Sequence, residues 1–288
     1  MRVETGGDRT AAADIALLQE RLRTLVNPAQ HAAVAFSGGT DSAFLLAVAA
    51  RALGPPAVVA VTAVSPSLSA AELAHARDFA DRLGVRHLLP QSNELADPGY
   101  SANSPARCFH CKTEVVDVVG RVAADVGSAG VVVMTGTNAD DLRSDFRPGI
   151  AAARRLGAVT PLAEFSKRRI RELSRHLGLT TWDKPAQACL ASRIAYGVPI
   201  SPSNLLRVQR AESALREIFA TLGVPVVNLR VRDLGDDRAR LEVDADLVPT
   251  VADDIRVVAA IRQTGFATVE VDPRGFRSGS MNEALRPG

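Results

Sequence analysis

The chain has no apolar run near the roughly 18 residues that a membrane span needs, so no stretch of the sequence reads as a transmembrane helix. It also lacks a dominant sign of charge. Its 34 Lys and Arg against 32 Asp and Glu leave +2, too near neutral to demand nucleic acid as a partner, although a local basic patch stays open. Cysteine is scarce: Cys108, Cys111 and Cys189 are the only three. An odd, low count argues against a disulfide framework and leaves each thiol as core filler or as chemistry. The opening stretch, Met1 to Thr10, is polar and carries acids. It does not read as a signal peptide, and a cytoplasmic location is expected. There is no internal repeat and no low-complexity tract. What remains is an ordinary globular composition, 47% hydrophobic and 23% charged over 288 residues, enough for one large domain or two smaller ones.

The chain is organised around Val34-Ala35-Phe36-Ser37-Gly38-Gly39-Thr40-Asp41-Ser42. An apolar run from His31 to Phe36 reads as a buried strand, and Ala43 to Ala49 opens a helix. Strand, glycine turn and helix N-terminus together make an anion site: the free N–H groups of the first turn converge there and the helix dipole adds positive potential. Gly38 and Gly39 remove Cβ atoms and let a phosphate approach the backbone. Ser37 and Ser42 add hydroxyls. Asp41 would repel phosphate unless Mg²⁺ lies between them. The spacing is neither a Walker loop nor a dinucleotide fingerprint.

Farther along, 57–64 and 85–89 read as strands, with a helix between them that starts at Ser69-Ala70-Ala71-Glu72 as a capping box. Ser92 to Arg107 reads as a long loop, and 111–126 as a helix. Gly130 to Thr135 is a fourth strand, 158–160 a short fifth, and 166–177 a helix. Alternating strands and helices mean an α/β fold with a parallel sheet, whose ligands sit beyond the carboxyl ends of the strands. Gly136-Thr137-Asn138-Ala139-Asp140-Asp141 lies at such an end. Asp140 and Asp141 suit Mg²⁺ there, or helix capping. After Pro199 the pattern changes to a helix at 203–222, strands at 226–232 and 238–243, a helix at 246–264 and a strand at 267–271. This is a smaller C-terminal α+β domain with an antiparallel sheet, and the expected division is 1–197 and 198–288.

Three further clusters carry chemistry. Cys108-Phe109-His110-Cys111 is a C-x-x-C pair entering a helix, where a lowered thiol pKa favours metal ligation or redox work. One such pair supplies only two ligands, and His110 is awkwardly placed to join them. Asp183 to Gly197 offers a lone thiol, Cys189, flanked by the cations Lys184 and Arg193, as a nucleophile attacking an activated acyl group requires. Buried structural thiols remain the alternative for all three. Arg230 and Arg232 alternate on one strand, so both leave the same face and could hold a substrate phosphate. Arg193 is a further candidate, with Ser192 and Tyr196 behind it.

Ser37-Gly38-Gly39-Thr40-Asp41-Ser42 resembles the PP-loop of ATP pyrophosphatases. With Arg107 to Lys112, Gly136 to Asp141, Trp182-Asp183-Lys184-Pro185, Ala188-Cys189-Leu190-Ala191-Ser192-Arg193 and Arg277 to Glu283, the chain resembles the LarE-type sulfur transferases over residues 12–284. The stretch around Cys189 is the most specific part. The resemblance implies a Rossmann-like parallel sheet with a small domain for substrate binding and oligomerisation. It implies ATP and Mg²⁺, with Ser37 to Ser42 and Gly136, Thr137 and Asn138 around the nucleotide and Asp41, Asp140 and Asp141 around the metal. It implies a pyridinium mononucleotide as the small-molecule substrate, in the maturation of the lactate racemase cofactor, and assembly into a homo-oligomer, a hexamer. Adenylation of a substrate carboxylate would be followed by attack of the matching cysteine, Cys189. Members with one such cysteine sacrifice it. Members with three hold a [4Fe–4S] cluster, and the ligand count here, Cys108, Cys111 and Cys189, favours that cluster with sulfide on an open iron.

Other readings use the same loop: a tRNA thiolation enzyme, an amidating synthetase that takes ammonia, or a nucleotide-binding regulatory module without turnover. The near-neutral charge and the lack of a basic tail count against the first. Asp41, Asp140 and Asp141 on one predicted sheet edge count against the last. Thr40 stands where the loop more commonly carries valine, an exchange between two β-branched residues.

Overall fold

The computed structural model describes residues 10–26, 31–126, 130–143, 153–154, 157–185, 188–252, 254–277 and 279–285. Its contacts group the chain into two units. One comprises 1–65, 70–93 and 111–187, and the other 66–69, 94–110 and 188–288.

The first unit is built on four parallel strands, β1 (His31–Ala35), β2 (Val58–Val61), β3 (Arg86–Leu88) and β4 (Val131–Thr135), in the order β3-β2-β1-β4. Parallel strands need crossovers and are covered on both faces, so they read as unbroken apolar runs. Ala32, Ala33 and Val34 of β1 are all fully buried. Successive residues point to opposite faces. Ala32 and Val34 join the core formed with α1 (Ala11–Leu25), α2 (Thr40–Leu53) and α5 (Lys167–His176), through Leu18 and Leu22, Phe44 to Ala49, and Ile170 and Leu173. Ala33 faces the other way with Val59, Val61 and Val119. α2 is apolar around its whole circumference because it is enclosed by helices and sheet. α3 (Ala70–Arg82) adds Ala76, Phe79 and Ala80. The expected fifth strand is a single parallel bridge between Met134 and Val159.

The helix α4 (Arg107–Ala124) begins four residues before its expected start. Cys108 and Cys111 therefore lie three apart on a helix and not in a loop. The expected long loop 92–107 carries a 3₁₀ turn at Glu94–Ala96 and a short helix at Pro98–Ser101, N-capped by Asp97.

The second unit packs α6 (Pro202–Thr221) and α7 (Ile255–Arg262) on a three-stranded sheet, β5 (Leu229–Asp233), β6 (Arg238–Val243) and β7 (Thr268–Val271). Leu205, Val208, Leu215 and Phe219 meet Leu229, Val231, Leu241, Val257 and Ile261, and all of these are buried. Two expectations are corrected. The sheet is mixed: β5 and β6 are antiparallel, but β7 lies parallel to β6 because α7 carries the chain back across the sheet. The single helix expected at 246–264 is instead a 3₁₀ turn at Ala245–Leu247, a short helix at Val248–Val251, and α7. Asp254 starts α7 afresh by accepting from the Arg256 N–H. No helix among the described residues is long and apolar enough to cross a membrane.

Candidate active site

In the first unit the glycine turn sits where the sequence pattern put it, between β1 and α2. Gly38 takes the left-handed φ of +71°, open to glycine at no steric cost. The turn is cross-braced by hydroxyls. Ser37 and Ser42 Oγ lie 3.1 Å apart, Ser37 N–H donates to Ser42 Oγ at 3.3 Å, and Gly39 N–H donates to Ser37 Oγ at 3.4 Å. Thr40 is buried and its hydroxyl donates to the Thr181 carbonyl at 2.9 Å, so it can meet a phosphate only through its main chain. The loop after β4 runs hard against this turn. A Cβ on Gly136 would lie 2.9 Å from Ser42 N, so only glycine permits the approach.

Asp41 is the polar centre of the turn. Its Oδ2 is 3.1 Å from Lys167 Nζ, and its Oδ1 is buried with no hydrogen-bond partner among the described residues. A buried carboxylate oxygen left unpaired is costly. Beside convergent helix N–H groups, it suits a divalent cation carried by a triphosphate. The residues therefore fit ATP with Mg²⁺. Asp140 and Asp141 are engaged in helix capping. Asn138, buried, accepts from the N–H groups of both at 2.9 Å, and Asp141 answers to Asn138 N–H at 3.3 Å. Asp140 accepts from the Lys167 main chain at 2.8 Å. Thr137 pairs with the Thr135 hydroxyl at 3.0 Å.

Two lysines complete this loop, and the sequence reading did not assign either to it. Lys184, read as a cation flanking the thiol, instead places Nζ 3.0 Å from the Gly38 carbonyl and 2.8 Å from Glu72. Lys167 belongs to none of the motifs. One signal did exist: Lys167, Arg168 and Arg169 crowd the first turn of α5, the wrong sign of charge for the positive end of a helix dipole.

In the second unit Cys189 is exposed at the head of a 3₁₀ turn, Leu190–Arg193. Arg193, only 4% exposed, grips the turn from within. Its guanidinium makes paired bonds to Glu212 at 2.8 and 3.1 Å. Its Nη1 donates to the Ala188 carbonyl, to the Cys189 carbonyl at 3.1 Å and to Ser192 Oγ at 3.2 Å. Leu190 N–H reaches the Ser67 carbonyl at 2.9 Å. The thiol is thus carried on a rigid support while its sulfur stays open.

Arg232 is equally committed, to Glu242 at 2.6 Å, the Ser192 carbonyl at 3.0 Å and Ser280 Oγ at 3.0 Å. Arg230 donates to the Leu229 carbonyl at 2.7 Å and lies over the Phe276 ring. Burial, reinforced by repulsion from Arg193 and Arg232 and opposed by Glu212, pushes its guanidinium down to about 10. It remains a cation at neutral pH and gains most from an incoming anion. The supporting carboxylates, Glu212 and Glu242, are two functional residues that no local motif announces.

Cys108 and Cys189 are exposed and Cys111 is half-buried, and none of the three is in a disulfide among the described residues. Among the described residues no three His, Cys, Asp or Glu side chains are arranged to hold a metal ion. The described residues therefore lend no support of their own to a [4Fe–4S] cluster. His110, between the paired cysteines, is held by Asp97, with Nδ1 2.7 Å from Oδ2. The N–H of Gly99, that imidazole and the Tyr100 N–H outweigh desolvation and hold the Asp97 carboxyl below its ordinary range.

A parallel sheet with this glycine turn and a metal-ready aspartate defines an ATP-dependent enzyme of the PP-loop class. The asparagine synthase family model matches residues 16–142. The pyridinium-3,5-bisthiocarboxylic acid mononucleotide synthase of Lactiplantibacillus plantarum is 34% identical over 95% of this chain and 96% of its own. An uncharacterized Synechocystis protein is 41% identical over 92% of this chain and 97% of its own. The NH(3)-dependent NAD(+) synthetase of Chlorobaculum tepidum is 30% identical, over 54% of this chain and 56% of its own. The chain belongs to the LarE family.

Proposed function

We propose that this protein is a sulfur transferase that adenylates a carboxylate of pyridinium-3,5-biscarboxylic acid mononucleotide and converts it to a thiocarboxylate. Near full-length similarity to the Lactiplantibacillus synthase supports the substrate class. The observation that carries the chemistry is the exposed Cys189 thiol on a turn clamped by Arg193. Attack on an acyl-adenylate needs a nucleophile that is fixed yet accessible.

The glycine turn would orient the triphosphate through its N–H groups, and Asp41, with Asp140 and Asp141 as further carboxylates, would hold Mg²⁺. When bound, the metal offsets phosphate charge and polarises the phosphoryl oxygens. The substrate carboxylate attacks the α-phosphorus, the bond to the bridging oxygen breaks, and pyrophosphate leaves. Cys189 sulfur then attacks the acyl carbon and AMP departs, leaving a thioester. Removal of the Cys189 Cα proton and cleavage of the Cβ–S bond release the thiocarboxylate and leave dehydroalanine. These steps balance with no oxidant or reductant. Arg230 and Arg232, with Arg193 behind them, are the groups assigned to the substrate phosphate. In favour of the other sulfur source, a cluster-bound sulfide, stand three thiols outside any disulfide, none of them fully buried. No step is derived through it.

The test is pyrophosphate release with and without the carboxylate substrate, followed by intact mass after one turnover. Release that depends on substrate, with a loss from Cys189 equal to the mass of H₂S, is expected. Cys189→Ser should still release pyrophosphate and form no thiocarboxylate. Release stimulated by tRNA or by ammonia would replace this reading with a tRNA thiolation enzyme or an amidating synthetase. An unchanged mass after turnover of anaerobically purified, iron-loaded protein would move the sulfur source from Cys189 to the cluster.

A further inference from the structure

On the outer side of α5 lies an open groove of about 320 Å³, lined by Lys167, Arg168, Arg171, Glu172, Arg175 and Trp182. That volume falls at the lower end of small-ligand sites, which begin near about 300 Å³. Four of the six lining residues are cations. The one carboxylate, Glu172, is shared by Arg168 at 3.7 Å and Arg169 at 3.0 Å. Among the described residues neither Arg171 nor Arg175 has a carboxylate partner. The Nε of Arg171 is buried without an acceptor, while its Nη2 reaches the Lys184 carbonyl at 3.4 Å. Arg175 lies over the Trp182 ring at 5.1 Å, which fixes its guanidinium without neutralising it. The first of these cations, Lys167, is also the residue whose Nζ is 3.1 Å from Asp41 in the glycine turn.

We propose that this groove is a pyrophosphate subsite, distinct from the glycine turn and joined to it by Lys167, which receives the leaving group after adenylation. The groove has what a small, multiply charged, non-aromatic anion requires. Its cations come from one helix, and one of them, Arg175, is preorganised by the Trp182 ring. The Lys, Arg, Arg start of α5 gains from a neighbouring negative charge as the helix dipole alone cannot supply it. A lysine shared with Asp41 can follow the anion as it moves, since its charge is compact and its stem flexible. The leaving-group assignment rests on the adenylation proposed above. The anion site itself does not.

Trp182 is the single tryptophan of the chain and lines the groove, so its emission reports occupancy directly. The full-length protein without ATP or carboxylate substrate is titrated with inorganic pyrophosphate. Chloride at matched ionic strength serves as the control. A saturable change in Trp182 emission is expected, weakening steeply with salt. Arg168→Ala combined with Arg175→Ala should weaken pyrophosphate affinity by about tenfold or more. Apparent ATP affinity should change less than about twofold. Arg168→Gln with Arg175→Gln serves if the alanine pair fails to fold. An emission that ignores pyrophosphate overturns the proposal. So does an affinity unchanged in the double variant, which would place the anion in the glycine turn only, or one lost in parallel with that for ATP. Because the titration involves no turnover, failure of the sulfur-transfer reading would show in the pyrophosphate-release assay and leave this result standing.

Discussion

Replacing Glu212 by glutamine keeps the shape of the side chain and removes its charge. Glu212 and Arg193 form a bidentate pair with side chains 10% and 4% exposed. Glu212 Oε1 also accepts from the Val231 main chain at 3.2 Å. Breaking a buried pair by neutralising one partner costs about 3–5 kcal/mol, because the other charge stays buried. The introduced amide would still accept one hydrogen bond, and Arg193 keeps its carbonyl acceptors at Ala188 and Cys189. The lower end, about 3 kcal/mol, is therefore expected, roughly a 150-fold loss of equilibrium stability. Amide hydrogen exchange at β5 and β6 measures it in the second unit directly, without assuming that the whole chain unfolds together. Protection there should fall by about two orders of magnitude, while β1 and β2 of the first unit keep theirs. The paired change Arg193→Met with Glu212→Met should recover much of the stability and none of the sulfur transfer. Protection in Glu212→Gln indistinguishable from wild type would refute the clamp.

Gly136→Ala should lower thermal stability by about 1–3 kcal/mol, since its Cβ would meet the Ser42 main chain at 2.9 Å; a variant as stable as wild type refutes the close approach. Asp41→Asn should raise the Mg²⁺ concentration for half-maximal pyrophosphate release by about tenfold or more, with the metal titration as readout. An unchanged requirement would move the metal to Asp140 and Asp141. Acid should unfold the second unit only below the ordinary aspartate value of 3.8. Asp244 and Asp272 sit lower than that: against desolvation, Asn228 and Val227 stabilise the first, and Arg274 and Arg277 the second. A depressed carboxyl contributes stability that is present above the unfolded value and lost as pH falls through the folded one. Circular dichroism on acidification checks it, and loss of the fold above the ordinary aspartate value of 3.8 would contradict it.

Local chemistry made much of this protein legible before any coordinates. Apolar runs bounded by glycine and polar residues announce parallel strands because both faces of such a sheet are covered, and β1, β2 and β4 lie where those runs are. The glycine turn is contiguous in sequence, so the anion site is read from adjacent residues and needs no tertiary information. Cys189 stands out because a thiol in an aperiodic, charged stretch has little reason to be core.

What the tertiary structure decided is everything made by residues far apart in the chain. Lys184 looks like a neighbour of the thiol, five positions from Cys189, yet its ammonium serves Gly38 and Glu72. Arg193 and Arg232 read as cations for a phosphate, and only the fold adds their carboxylate partners, Glu212 and Glu242. The direction of β7 was settled by the helix that carries the chain back, not by the strand's own residues. Composition and spacing determine which groups a chain can offer, because those depend on neighbours along the backbone. Which polar atoms remain unsatisfied depends on partners that only folding selects, and among the described residues the buried Asp41 Oδ1 in the glycine turn is one of them.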